Sequence, residues 1–253
     1  MSEILINQEN SICYLTLNRP EKRNALNDAL VNSLKDALRD ADGNRELRAI
    51  VIKGAGNDFC SGADLSALQK ISESNVLENW DDAHNLMELF ALIRKVKIPV
   101  VAAVHGRALA GGCGLATACD LVLAGASARF GYPEVKIGFV PAMVMAILRR
   151  NVSEKRAFEL ATQGFEFGAE TAREFGLVNR IFEDSVFAEE VKNYVSIYEK
   201  VSRSAIVLSK RLLYQMDGLT FESALESGVD VNTIARLTDD CQNGISRFLN
   251  KDK

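Results

Sequence analysis

Apolar positions recur along the chain with two different periods, which separate strand-like from helix-like stretches. Residues 4–17 alternate around a polar break, and this pattern predicts a β-hairpin of two short strands. Over 26–38 a leucine recurs every fourth residue, which predicts a helix with one apolar face. Asn24 or Asn27 is suited to cap the start of this helix, and Gly43 is suited to end it.

The remaining pattern alternates between strands and helices up to about residue 185. Apolar runs predict four more strands: 47–53, 99–104, 120–124 and 177–182. The first two are expected to be buried on both faces, because they are apolar along most of their length. Periodic stretches predict helices at 79–96, 115–119, 153–164 and 169–175. This alternation is typical of an α/β protein, with loops predicted at 54–62 and 106–114.

The last part of the chain contains no strand signal. Four helices are predicted there: 186–201, 204–216, 221–237 and 239–249. Helices without a sheet of their own need another surface to pack on, either their own core or a neighbouring subunit. We therefore divide the chain into an α/β core, residues 1–185, and a helical region, residues 186–253.

Composition narrows the classes of protein that fit this pattern. The chain has 253 residues, 47% of them apolar and 25% charged, with a net charge of −4. Such a mixture is typical of a globular domain, and its mild acidity argues against nucleic acid or an anionic membrane as a partner. Because the sequence shows neither a secretory signal nor an apolar run long enough to cross a bilayer, we expect a cytoplasmic protein.

Cysteine and histidine do not form a recognisable site in the sequence. The five cysteines include no CxxC pair, and an odd number does not suggest a disulfide framework. We expect them to act as small buried apolar side chains. His84 and His105 have no evident partner ligands, so we expect no metal site and no Ser-His-Asp triad.

Two segments rich in small residues are candidates for binding an anion. They are 59–65 and 107–115, and each follows a predicted buried strand and precedes a helical stretch. Small residues allow backbone N–H groups to approach a ligand, and N–H groups at a helix start favour negative charge. Two such amides directed at one oxygen would form an oxyanion hole. The alternative is that these glycines serve only tight turns and close packing.

Glu134 is the candidate acid/base residue. It follows Pro133 in the segment 130–141, which is otherwise mostly apolar. A carboxyl group among apolar neighbours loses solvation, and its pKa rises toward values useful for proton transfer. The alternative is an exposed glutamate paired with Lys136.

Five segments, taken in order, resemble the crotonase superfamily, the enoyl-CoA hydratase/isomerase family. They are 17–26, 59–65, 105–120, 130–141 and 175–179. The resemblance implies an α/β fold in which strand-strand-helix turns form a spiral, with a helical C-terminal region for oligomerisation. It also implies a homotrimer or a hexamer built as a dimer of trimers.

The same resemblance implies an acyl-CoA thioester as substrate, with coenzyme A arriving as part of it and no separate cofactor. The backbone amides of Ala63 and Gly111 would hold the thioester oxygen, and Glu134 would transfer the proton. Further positions would line the path of the substrate and its coenzyme A: Arg23, Ala25, Ala63, Asp64, Leu65, Ser66, Gly111 and Gly114. For Arg23 the alternative is a solvated surface pair with Lys22. Lys210 and Arg211 are candidates for phosphate contacts with a neighbouring subunit, and a solvated helix face is the alternative.

One departure from the family pattern leaves the reaction open. Gly114 stands where the best-known hydratases of the family carry a first glutamate, so Glu134 is left as the single acid/base residue. This favours an enoyl-CoA hydratase acting on a linear or branched acyl group, with resemblance to hydratases for methylglutaconyl-CoA. The alternatives are a double-bond isomerase, a thioester hydrolase, and an acyl-CoA-binding protein without activity. The segment 142–148 is apolar where the family pattern is glycine-rich, and Met143 and Met145 would form a flexible wall.

Overall fold

The computed structural model describes residues 2–250, except for the side chains of Leu65 and Leu68. The strands are β1 (Ile4–Glu9), β2 (Ile12–Leu17), β3 (Ala49–Gly54), β4 (Val100–Val104), β5 (Arg107–Leu109), β6 (Leu121–Gly125), β7 (Arg129–Gly131), β8 (Glu166–Gly168) and β9 (Arg180–Phe182). The helices are α1 (Asp28–Gly43), α2 (Leu65–Glu73), α3 (Val76–Lys95), α4 (Gly111–Ala118), α5 (Ala142–Asn151), α6 (Glu154–Gln163), α7 (Ala169–Glu174), α8 (Phe187–Val195), α9 (Ile197–Lys200), α10 (Arg203–Gln215), α11 (Phe221–Arg236) and α12 (Asp239–Leu249). Three short 3-10 helices complete the set: Pro20–Lys22, Pro133–Ile137 and Met216–Gly218.

Two sheets organise the chain. The larger sheet has six strands in the order β1-β2-β3-β4-β6-β9, antiparallel between β1 and β2 and parallel elsewhere. The smaller sheet joins β5, β7 and β8. The β1–β2 hairpin and the α/β class predicted from the sequence are thereby confirmed. Every residue of β4 is buried, as expected for a strand covered on both faces.

The first helix shows how local sequence sets an element boundary. The Asn27 side chain accepts a hydrogen bond from the Leu30 amide, which satisfies an otherwise free N–H group at the helix start. Asn24 is not the cap: it is fully buried, and its Nδ2 group donates to the carbonyls of Ala55 and Asp58. It therefore ties the loop after β2 to the loop after β3.

The larger of two apolar clusters lies on the face of the six-stranded sheet covered by α1, α3 and α4, and the smaller lies on the opposite face. The larger cluster contains four of the five cysteines: Cys13, Cys60, Cys113 and Cys119. This agrees with their predicted role as small apolar side chains. Burial raises the pKa of the Cys60 and Cys113 thiols to about 12, so both remain protonated.

The predicted loop at 106–114 is wrong in part. The structure forms β5 there and begins α4 at Gly111, so three glycines lie within a helix. Glycine disfavours a helix interior, which explains why the pattern predicted a loop. The sequence pattern also missed α2, α5, β7 and β8.

The C-terminal region is helical, and among residues 2–250 the last strand ends at Phe182. Helix α10 is anchored to the core by Lys210, whose Nζ atom lies 2.7 Å from Asp120 Oδ2 and also donates to the carbonyls of Ile93 and Ile98. The Tyr214 hydroxyl donates to the other oxygen of Asp120. The solvated face considered for Lys210 is therefore wrong, because this side chain is buried. No helix among the described residues is long and apolar enough to cross a membrane.

Candidate active site

The two small-residue segments lie directly against each other. The Cys60 amide donates to the Arg107 carbonyl, and the Leu109 amide donates to the Cys60 carbonyl, each at 3.0 Å. Gly62 has a φ of +98°, and a Cβ atom there would lie 2.8 Å from Ala110 Cβ. A Cβ atom at Gly112 would collide with the Cys60 carbonyl. The glycines thus permit close backbone packing, and that packing brings Ala63 near the start of α4.

Two residues with free backbone amides line a shared cavity at this junction. Ala63 and Gly111 both line it, and neither N–H group donates a hydrogen bond within the part of the chain that the structure describes. Gly111 is the first residue of α4, so its amide has no acceptor within its own helix. Ala110 precedes it with the strained φ of +48° and holds that turn by donating to the Gly131 carbonyl. Two free amides on one cavity wall are the groups that an oxyanion hole needs.

The cavity itself has a volume of about 950 Å³ and lies among α2, α3, α5 and the 3-10 helix Pro133–Ile137. Much of its wall is apolar: Leu86, Phe90, Phe139, Val140, Met143 and Val144. Its size and lining are those of a site for an organic molecule. Met143 contributes to the wall as predicted, whereas Met145 does not line the cavity.

Glu134 lies on this wall within the 3-10 helix Pro133–Ile137. Its Oε2 atom is buried and has no hydrogen-bond partner among the described residues. Burial raises the pKa of the Glu134 carboxyl above its ordinary value. The structure shows no ion pair between Glu134 and Lys136, both of which it describes. A desolvated, unpaired carboxyl facing a cavity fits a group that transfers protons.

Gly114 is buried in α4 and does not line the cavity. A Cβ atom there would lie 2.7 Å from Val144 Cγ2 and 3.2 Å from the Phe90 ring. A glutamate at this position would therefore have to displace Val144. The side chains of α3 and α5 fill the space that a larger residue on α4 would occupy.

The other positions predicted for the coenzyme A path fall into different environments. Ser66 lines the cavity, and the side chain of Leu65 lies outside the described part of the chain. Arg23 is exposed and Ala25 is buried, and neither contributes to the cavity wall. Their contact with coenzyme A stays a prediction, as does that of Asp64.

Asp64 is engaged within the protein. Its carboxylate accepts from the Ser66 amide at the start of α2 and from Arg19 Nη2 at 2.7 Å. Burial alone would raise the pKa of Asp64, but the hydrogen bonds from Ser66 and Arg19 outweigh it and hold the pKa below its ordinary value. Arg19 also donates to the Ala25 carbonyl and lies 3.1 Å from Glu3. Arg19 thus fixes the segments that contain Ala25 and Asp64 to each other and is engaged within the protein.

Sequence reasoning missed the cavity wall that α2 and α3 provide. Lys70, Asn79 and Asp82 line the cavity, yet none was a candidate. The signal for α2 was present, because Asp64 is a favourable helix cap followed by apolar residues at helical spacing. For α3, the spacing of Asn79, Asp82, Leu86 and Phe90 marks one helix face.

Comparisons with known proteins identify the family of this chain. The family model for enoyl-CoA hydratase/isomerase matches residues 7–253. A putative enoyl-CoA hydratase of Thermus thermophilus is 39% identical over 244 residues, covering 96% of each chain. The 2,3-dehydroadipyl-CoA hydratase of Escherichia coli is 33% identical over 252 residues, covering 99% of this chain and 97% of that relative.

The solved structures give the same result for the fold. A crystal structure of an enoyl-CoA hydratase from Mycobacterium smegmatis superposes with a TM-score of 0.94 and 30% identity, covering 98% of this chain and 96% of that one. The mixed sheet followed by C-terminal helices is thus the crotonase fold implied by the sequence. The chain belongs to the enoyl-CoA hydratase/isomerase family.

Proposed function

We propose that the protein adds water to a 2-enoyl-CoA thioester, or removes it, with Glu134 as its single acid/base residue. The observation that carries this proposal is the buried Oε2 atom of Glu134, which has no hydrogen-bond partner among the described residues and lies on the same cavity wall as Ala63 and Gly111 with their free amides. Relatives named as enoyl-CoA hydratases support the substrate class. Coenzyme A is then part of the substrate, and the chemistry requires no further cofactor.

In the direction of hydration, Glu134 takes one proton from a water molecule while the water oxygen bonds to Cβ of the substrate. The electrons of the double bond move toward the thioester, and negative charge develops on its oxygen. The amides of Ala63 and Gly111 stabilise this oxygen, and one such donor contributes about a hundredfold or more to the rate. Glu134 then returns its proton to Cα, so the product gains H at Cα and OH at Cβ.

The environment of Gly114 supports a mechanism with one carboxyl group. Val144 and Phe90 occupy the space beside Gly114, so α4 offers no second acid/base side chain there. The remaining wall is wide and apolar enough for a branched acyl group as well as a straight one.

Double-bond isomerisation is the second candidate, and the same observation favours it. A single carboxyl group that removes a proton from one carbon and returns it to another requires no water and no second acid. The oxyanion formed at the thioester would be the same, so the geometry of Ala63 and Gly111 serves both reactions.

We test the proposal with trans-2-enoyl, cis-3-enoyl and 3-hydroxyacyl-CoA substrates followed by mass spectrometry. Hydration changes the mass by one water, isomerisation leaves the mass unchanged, and thioester hydrolysis releases free coenzyme A. We expect interconversion of the 2-enoyl and 3-hydroxyacyl forms. Isomerisation alone, or release of free coenzyme A alone, would contradict the proposed hydration.

Substitution of the proposed acid/base residue is the first specific prediction. Glu134→Gln should lower kcat by at least about a hundredfold, because proton transfer is lost, while acyl-CoA binding persists. Glu174→Gln, an exposed glutamate on α7, is the matched control and should retain full activity. Activity of Glu134→Gln close to that of the wild type would refute the role of Glu134.

A further inference from the structure

One wall of the cavity is a single face of α3. Asn79, Asp82, Leu86 and Phe90 line the cavity and are three or four residues apart, so they share a helix face. Phe90 marks the inner end, because its ring contacts the backbone position of Gly114 on α4. With a rise of 1.5 Å per residue, Asp82 lies about 12 Å along the helix from Phe90. Asp82 and Asn79 therefore lie toward the outer end of this wall, away from α4.

The outer end carries two carboxyl groups and one ammonium group. Lys70 Nζ lies 2.7 Å from Asp28 Oδ2, and these two side chains form an ion pair on the cavity wall. Burial raises the pKa of Asp82, and the negative charge of Asp28 raises it further. Asp82 is thus a second, partly desolvated carboxyl group. Lys70 attracts both Asp82 and Asp28, while the two carboxyl groups repel each other.

Two other lysines, Lys35 and Lys136, lie near the cavity but contact other groups. Lys35 on α1 bonds to Asn85 and lies 2.9 Å from Glu88 Oε2. The side-chain carbons of Lys136 lie against Gly164 at the end of α6. The described charged residues of the cavity wall are three carboxyls and two amines: Asp28, Asp82, Glu134, Lys70 and Lys136. At the outer end, two of these carboxyl groups, Asp28 and Asp82, lie near the single ammonium group of Lys70.

We propose that the outer end of the cavity is a charge filter, which admits acyl chains with an uncharged end and rejects those that end in a carboxylate. A distal carboxylate would meet Asp28 and Asp82. Asp28 is exposed, but Asp82 is partly buried, so water screens the repulsion from Asp82 less than at an open surface. The filter rests on the proposed function, because it requires that the acyl chain extend along α3 from the reacting carbons at Glu134.

The test compares binding of decanoyl-CoA and decanedioyl-CoA by isothermal titration calorimetry. These saturated thioesters have the same chain length and differ only in the terminal carboxylate. The wild type should bind decanoyl-CoA at least about tenfold more tightly. Asp82→Asn should reduce this preference by tightening the binding of decanedioyl-CoA. Asp81→Asn removes the same charge from an exposed neighbour that does not line the cavity, and should leave the preference unchanged.

A second variant keeps the test decisive if Asp82→Asn fails to fold. Lys70→Gln removes the only ammonium group paired with Asp28 among the described residues, and it should increase the preference for decanoyl-CoA. Equal affinity of the wild type for both thioesters, or a preference that neither variant changes, overturns the filter. Turnover of trans-2-decenoyl-CoA is measured in parallel. Its absence alongside a clear binding preference would contradict the proposed reaction and leave the filter standing.

Discussion

The environment of Glu134 affects both the stability of the folded protein and the proton transfer proposed for this residue. Its Oε2 atom is buried without a partner among the described residues, and burial raises its pKa. A raised pKa means that the folded protein holds this proton more tightly than the unfolded chain does. As the pH rises from the ordinary glutamate pKa through the raised value, the folded state is therefore destabilised relative to the unfolded chain.

This residue yields a prediction about stability that does not depend on catalysis. Glu134→Gln should raise the Tm at about pH 8, because the buried charge is removed, and the gain should vanish below about pH 4. Thermal unfolding followed by circular dichroism across this pH range measures the difference. Glu174→Gln should give no comparable gain. If Glu134→Gln lowered the Tm at every pH, the ionised Glu134 carboxylate would not destabilise the folded protein, and the prediction would be wrong.

The sequence indicated the surroundings of Glu134 but not those of Gly114. The apolar neighbours of Glu134 are adjacent in the chain, so its raised pKa could be predicted, and the structure confirms the direction. Gly114 meets Phe90 and Val144, which lie 24 residues before it and 30 residues after it. Contacts over such separations depend on how helices pack, and no local pattern encodes them.

At the scale of elements, one polar cluster holds the C-terminal helices on the core. Asp120 accepts from the Val100 amide, from Lys210 Nζ and from the Tyr214 hydroxyl. Burial lowers the pKa of Lys210, while Asp120 acts to raise it. The charged form of Lys210 therefore depends on Asp120 as its partner. Helix α10 thus reaches the sheet through a buried ion pair rather than through apolar packing alone.

Removing one partner of this pair should release α10. Lys210→Ala leaves Asp120 without its counter-charge and should cost about 3 kcal/mol in the free energy of unfolding. Arg211→Ala, an exposed neighbour on the same helix, should change it by less than about 0.5 kcal/mol. Urea denaturation measures both. Equal stabilities of the two variants would mean that the ion pair does not anchor the helix.

Elements of different length were predictable to different degrees. The strands of the large sheet have continuous apolar runs, and most of them were located from sequence. Strands β5, β7 and β8 have three residues each, which is too short to display a period of two. Only the second half of helix α4 was predicted, because its first half contains three glycines, of which Gly112 permits the close approach to Cys60.

At the scale of the whole molecule, the two outermost helices pack on α10 and on each other but leave one side uncovered within the described chain. Neither α11 nor α12 contains a buried residue. Large apolar side chains on them are exposed: Phe221, Leu225, Val229, Leu237 and Phe248. Exposed apolar surface of this extent typically marks a protein interface. It supports an interface with another subunit, while the homotrimer or dimer of trimers stays a prediction.

The oligomeric state can be tested on this surface. We expect the wild type to sediment as a trimer or hexamer in analytical ultracentrifugation. The double variant Phe221→Asp with Val229→Asp should dissociate, because carboxylates are poorly tolerated in an apolar interface. Asn243→Asp, which adds a charge on α12 without removing an apolar side chain, should leave the assembly intact. A monomeric wild type would refute the expectation.

The close backbone packing of residues 59–63 against residues 107–112 limits which mutations these two segments can accept. Gly62 lies against Ala110, and Gly112 against the Cys60 carbonyl, so neither segment has spare volume of its own. A mutation that enlarges one segment must be matched by a shift in the other. The two segments therefore constitute one epistatic unit, and a chimera with a relative should exchange both together or neither.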